Sequence, residues 1–240
     1  YIDIDSEVQR VLDFAPGLFE KNKQDDDYLV IRIGEGEVEA NCEIDIKEQE
    51  FKNLDDKIAD YPTILKDSYQ NISQCPITID FKECNGIGVV GDRIYLFELL
   101  ASITVDIVTR HFYDDVKLYY IFSEEDMDRF MPLRWLKHVS NSENSIRNFM
   151  YNDESKKVMM EYLYKELSRR DSMKTNMIEN EARHIIFVYD SDGFAKHPVS
   201  TYVERGKDLG FTFIFLEEYQ EYLPEHIDYV VYLEEKNKGK

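Results

Sequence analysis

Long apolar runs are missing from this chain, and so are the residues of a working phosphate site. No stretch approaches the roughly 18 apolar residues of a membrane-spanning helix, and no signal peptide opens the sequence. Basic residues are scarce: 29 Lys and Arg stand against 49 Asp and Glu, a net charge of −20. The excess lies in short runs such as Asp25-Asp26-Asp27, Asp55-Asp56, Asp114-Asp115 and Glu124-Glu125-Asp126. Such a surface argues against DNA, RNA or anionic lipid as partners, since those are held by clustered Lys and Arg. Cys42, Cys75 and Cys84 are odd in number and lack C-x-x-C spacing. They read as reduced core thiols in a cytosolic setting, with no zinc site. The single tryptophan, Trp135 in "PLRWLKH", is expected to anchor a loop on the core. His111, His138, His184, His197 and His226 show no H-x-x-x-H spacing and read as surface or edge residues.

What is present suits a globular chain. With 43% hydrophobic and 13% aromatic residues over 240 positions, it can bury about 70–75% of its unfolded surface without staples. A polar helical pattern begins directly after residue 1, as expected of a piece of a longer polypeptide. Residues 5–20 read as a helix broken near Pro16-Gly17. The stretch "YLVIRIGEGEVEANCEIDI" then shows two apolar runs around Gly34-Glu35-Gly36. Val38, Ala40, Cys42, Ile44 and Ile46 alternate with polar residues, which predicts an antiparallel hairpin with one wet face. Residues 53–73 read as helical, interrupted by Pro62.

From Cys75 the texture changes. Continuously apolar runs at 77–81, 87–90, 117–122, 185–189, 211–216 and 229–233 predict a parallel sheet covered on both faces. Helices are expected over 92–110, apolar nearly all round, and over 153–170. The latter's stripe is Val158, Met159, Tyr162, Leu163 and Leu167. The expected architecture is a three-layer α/β domain over 75–240, behind a lead-in of helix, hairpin and helical segment over 1–74.

Two stretches carry candidate chemistry. In "GIGVVGDRIYLFELL", Gly86 and Gly91 have the G-x-x-x-x-G spacing of a P-loop, but Asp92 and Arg93 stand where Lys and a hydroxyl residue belong. A carboxylate there repels a triphosphate, and Arg93 offers no hydroxyl to magnesium. The better reading makes 87–90 a strand, Gly91 the turn and Asp92 the N-cap of the following helix. In "HIIFVYDSDG", Asp190 ends an apolar run as a Walker B carboxylate does, but Ser191 follows instead of Glu. The D-x-D-G spacing of Asp190 and Asp192 also fits a phosphatase nucleophile and its acid/base. That motif normally opens its fold, whereas about fifty residues follow here. Asp at a strand end also serves as a plain turn or cap.

The succession "YLVIRIGEG", "CPITIDFKECNGIGVVGDRIYLFELL", "PLRWLKH", "HIIFVYDSD" and "LGFTFIFLEEYQEYLPEHIDYVVYL" resembles the membrane-anchored FtsK/SpoIIIE-type ATPases of type VII secretion systems, which export WXG100-class proteins. The resemblance is to the segment between their transmembrane helices and first motor domain. It implies a RecA/FtsK-like, mostly parallel α/β fold on the cytoplasmic side of the membrane, in a hexamer-forming coupling protein. Partners would be other domains and subunits of the same ATPase and membrane components of the system. ATP and Mg would belong to the parent protein's motor domains, with no cofactor, metal or catalytic residue here. Gly86, Gly91, Asp92 and Arg93 then mark a vestigial P-loop position, and Asp190 and Asp192 a vestigial Walker B. Two rivals are a weak ATPase using Asp190 with trans-acting Arg169 or Arg170, and a module capturing a secretion partner on its acidic surface.

Overall fold

The computed structural model describes residues 4–41, 45, 61–141 and 146–233. They fall into two compact units, one of the described residues within 32–78 and one of those within 4–31 and 79–233. In chain order the elements are α1 (Ile4–Leu12), β1 (Val30–Glu39), α2 (Tyr61–Tyr69), β2 (Asn71–Asp80), β3 (Gly86–Gly91) and α3 (Arg93–Arg110). They continue with β4 (Val116–Ile121), α4 (Met127–Phe130), β5 (Ser140–Asn141), β6 (Ile146–Arg147), β7 (Phe149–Met150) and α5 (Asp153–Asp171). The last are α6 (Thr175–Ile178), β8 (Arg183–Val188), β9 (Phe211–Glu217) and β10 (Tyr229–Leu233).

The larger unit is built on a six-stranded sheet ordered β10-β3-β9-β8-β4-β7, and every neighbouring pair runs parallel. Strands β4, β8 and β9 are buried on both faces, which is why their sequences run apolar without alternation. One face carries α3, with Leu96, Leu100, Ile103 and Ile107 buried beneath it. The other carries α5, whose Met159, Leu163 and Leu167 pack on Tyr119, Ile186, Phe211 and Phe213. The α/β class, the parallel sheet with helices on both faces and the preceding helix and two-stranded pair are borne out.

Within the smaller unit the pairing differs from the one expected. Strand β1 runs straight through Gly34 and Gly36, and its partner is β2, not residues 38–46. Residues 42–44 and 46 of the expected second run lie outside the described residues, as do 53–60 of the expected helix. The run at 77–81 ends β2 in this small sheet and does not join the parallel one. Only Ile79 within β2 is buried, as a strand with a wet face requires.

Four other expectations are corrected. Trp135 is 73% exposed, not packed on the core as a loop anchor would be. His111, His138 and His184 are buried, each held by hydrogen bonds that a sequence cannot display. Val158 is exposed, and its place on the buried face of α5 goes to Met160 and Arg170. Of the thiols, Cys84 is buried, with Sγ 3.0 Å from the Asp80 carbonyl and its pKa pushed up to about 12 by burial. Cys75 is only partly buried and Cys42 lies outside the described residues.

Candidate functional site at the carboxyl edge of the sheet

Ligands of open α/β sheets lie outside the carboxyl ends of the strands, where the strand order reverses. Here that place is the edge formed by β3, β9 and β8. The stretch from Gly86 to Gly91 forms no loop. All its residues are in β3, with Gly86 to Val90 registered on β9 and Gly91 opposite Leu233 of β10. Its glycines make room for packing. A Cβ on Gly88 would come within 2.6 Å of Leu223 Cδ1 and 2.7 Å of Ile227 Cδ1. A Cβ on Gly91 would lie 2.8 Å from Leu233 Cβ. The connection from β9 to β10 therefore rests directly on the β3 backbone. Gly88→Ala is expected to cost about 1–3 kcal/mol through overpacking, readable as a lower urea midpoint.

Helix α3 begins immediately after the strand. Asp92 is its N-cap, with Oδ1 accepting from the Ile94 N–H at 2.9 Å. Arg93 turns across the end of β8: its guanidinium lies 3.8 Å from the centre of the Tyr189 ring, and Nη1 donates to the Tyr189 carbonyl. Nη2 is 3.3 Å from Asp126 Oδ2, which also accepts from Ser123 Oγ at 2.9 Å. The Tyr189 hydroxyl closes the ring by donating to the Arg93 carbonyl at 2.9 Å.

The Asp190 carboxylate is engaged as well. Lys156, near the start of α5, places Nζ 2.9 Å from Asp190 Oδ2, and the Asp192 N–H donates to Oδ1 at 3.1 Å. Asp192 itself is exposed. Glu217, ending β9, is buried, and its Oε1 has no hydrogen-bond partner. Burial raises the pKa of Glu217, and nearby Asp190 adds to this, against the hydroxyl of Ser191 and the charge of Arg93. Among the described residues, no group of three or more His, Cys, Asp or Glu side chains is placed to hold a metal ion.

The structure thus brings Asp92, Arg93 and Asp190 to one edge and adds Asp126, Lys156, Tyr189 and Glu217, which the sequence reading did not single out. Their signal is weak: Lys156 is 34 residues from Asp190 and Asp126 is 33 from Arg93. The two arginines considered as trans-acting groups lie at the far end of α5. Arg170 is 1% exposed, so it cannot reach a neighbouring chain. Arg169 is bonded to Glu166 and Glu181.

No family model matches the chain. Several curated proteins do. The type VII secretion system protein EssC of Staphylococcus aureus (strain NCTC 8325) is 26% identical over 233 residues, covering 94% of this chain and 16% of that protein. The ESX secretion system protein EccC of Geobacillus thermodenitrificans is 27% identical over 227 residues, covering 93% of this chain and 15% of that protein. The chain therefore spans about a sixth of the length of these relatives. Among solved structures, EssC ATPases 2 and 3 from Geobacillus thermodenitrificans superpose with a TM-score of 0.49 at 16% identity, over 88% of this chain and 37% of that one. The chain is similar over 94% of its length to a segment of the type VII secretion protein EssC, and over 93% to a segment of EccC.

Proposed function

We propose that this chain is a non-catalytic, ATPase-like domain of a type VII secretion coupling protein. It would scaffold assembly on the cytoplasmic side of the membrane and link motor domains to the export pore. Its partners would be other domains and subunits of the same protein, hexameric in full length, together with membrane components of the system. ATP and Mg would serve the motor domains.

The observation that carries the reading is that Asp92, Arg93 and Asp190 at the carboxyl edge are each engaged by groups of this chain. A triphosphate needs a loop of free backbone N–H groups, an ammonium group and a metal. Here β3 is straight, Asp92 has taken the Ile94 N–H, and Arg93 covers the end of β8. The Walker B-like Asp190 has Lys156 as its cation. These residues do not fit a nucleotide with its magnesium, so no step of hydrolysis is derived through them.

Calorimetric titration of the chain with Mg-ATP is expected to give no binding heat, and a micromolar dissociation constant would overturn the proposal. Asp92→Lys combined with Arg93→Thr restores the side chains of a P-loop but not its backbone. That double variant is also expected to bind no nucleotide.

A further inference from the structure

Two segments of the sheet unit that leave strand ends carry exposed aromatic residues and opposite charge. After β4 the chain turns through "PLRWLK", where Trp135 is 73% exposed and the Arg134 guanidinium lies 4.7 Å from the centre of its ring. Arg134 and Lys137 are exposed, and neither has an ion-pair partner among the described residues. After β9 the chain runs through "EEYQEYLPE". There Tyr219 and Tyr222 are each 63% exposed and pack edge to face at 5.9 Å. Glu218, Glu221 and Glu225 are exposed around them, again without ion-pair partners among the described residues.

Within one chain these segments form no ion pair with each other among the described residues. The basic segment follows β4, beside the outer strand β7, and Phe130, just before it, packs against Phe97 of α3. The acidic segment leads to the other outer strand, β10, and its Leu223 and Ile227 pack on the opposite, α5-bearing side. The acidic segment starts at the carboxyl end of β9, two strand spacings from β4, about 10 Å at 4.7–4.9 Å each. Two complementary surfaces that do not pair within one molecule can make a head-to-tail contact between copies, the kind that generates rings or filaments.

We propose that the Trp135 segment of one copy of this chain docks on the Tyr219–Tyr222 segment of the next. Charge decides the occupant. The chain's own net charge of −20 makes most of its surface repel a second copy. The Arg134–Lys137 segment is where an acidic, aromatic surface of that copy meets attraction instead, and Trp and Arg are the residues that most often dominate interface energy. The contact is weak in isolation because the remaining charge opposes it. It does not depend on whether the carboxyl edge binds a nucleotide.

Trp135 is the only tryptophan, so its emission reports on this surface alone. Sedimentation of the chain over a concentration series is expected to show reversible association, with a parallel blue shift of Trp135 emission. Arg134→Glu with Lys137→Glu should weaken association at least tenfold. Glu218→Lys with Glu221→Lys and Glu225→Lys should do the same. Mixing the two variants should restore association, since each then offers the other a complementary surface. A chain that stays monomeric at the highest concentration would overturn the proposal. So would association without a change in Trp135 emission, or a failure of the mixed variants to associate.

Discussion

Arg170→Met is expected to lower the unfolding free energy by about 3–5 kcal/mol, since each buried polar group left without its partner costs about 1–3 kcal/mol. Arg170 is 1% exposed and every arm of its guanidinium is used. Nε donates to Glu166 Oε1 at 2.7 Å and Nη1 to the Leu209 carbonyl at 3.0 Å. Nη2 reaches the Ala182 carbonyl at 2.9 Å and His184 Nε2 at 3.0 Å. These partners precede or open β8 and β9, so one side chain ties the end of α5 to the amino edge of two central strands. Gly210, at φ +77, leaves the space: a Cβ there would lie 2.6 Å from Arg170 Nη1. Methionine fills the stem but leaves two carbonyls and an imidazole nitrogen without their donor. Glu166 keeps Arg169, 2.6 Å away, so its charge is not stranded. Against a typical stability of about 5–15 kcal/mol, the loss is large enough to read directly from urea melts. A loss below about 1 kcal/mol would show that the strands hold without this tie.

How much of this was legible depends on the range of each interaction. Burial on both faces writes itself into a strand locally, so the runs at 117–122, 185–189 and 211–216 mark β4, β8 and β9. Asp92 was legible as an N-cap because capping is decided within three residues. The run at 77–81 was not, because a few apolar residues look the same in a half-wet strand as in a central one. The glycines of "GIGVVG" suggested a phosphate loop by spacing, but their reason lies in Leu223 and Ile227, more than 130 positions away. Arg93 is held by Tyr189, 96 residues on, and His111 by Leu29, 82 residues back. Such partners leave no periodicity or motif. The absence of Lys and a hydroxyl residue at positions 92 and 93 was visible in the sequence, whereas the side chains that meet at this edge were visible only in the fold.

The buried histidines make the chain sensitive to mild acid. His111 is fully buried at the end of α3, where its Nε2 accepts from the Leu29 N–H at 3.1 Å and Nδ1 faces the Ile107 carbonyl at 3.2 Å. Leu29 has a φ of +59, a left-handed backbone that this hydrogen bond helps hold. Protonation would turn two N–H groups toward each other. Burial, reinforced by the charge of Arg110, pushes the His111 pKa down to about 3. Burial also lowers His138 and His184, the latter with help from Arg170. An unfolded histidine binds its proton near pH 6.5, so below that pH the unfolded state gains protons the folded state refuses. Stability is therefore whole above pH 6.5 and falls with pH toward 3. Each such histidine contributes up to about 1.4 kcal/mol per pH unit, so His111 alone accounts for about 2–3 kcal/mol between pH 6.5 and 4.5. Glu217, whose pKa is raised, works in the opposite direction near the lower limit, while Asp27 and Glu166, with lowered pKa values, lose stability only in stronger acid. Comparing His111→Gln with the parent cancels those groups. Glutamine can accept from Leu29 and donate to Ile107 without titrating. Urea unfolding from pH 7 to 5 is expected to show the parent losing about 2 kcal/mol more than the variant, its extra slope rising from about a quarter of a proton at pH 7 to nearly one at pH 5. Equal slopes would mean that His111 takes up its proton within the folded chain.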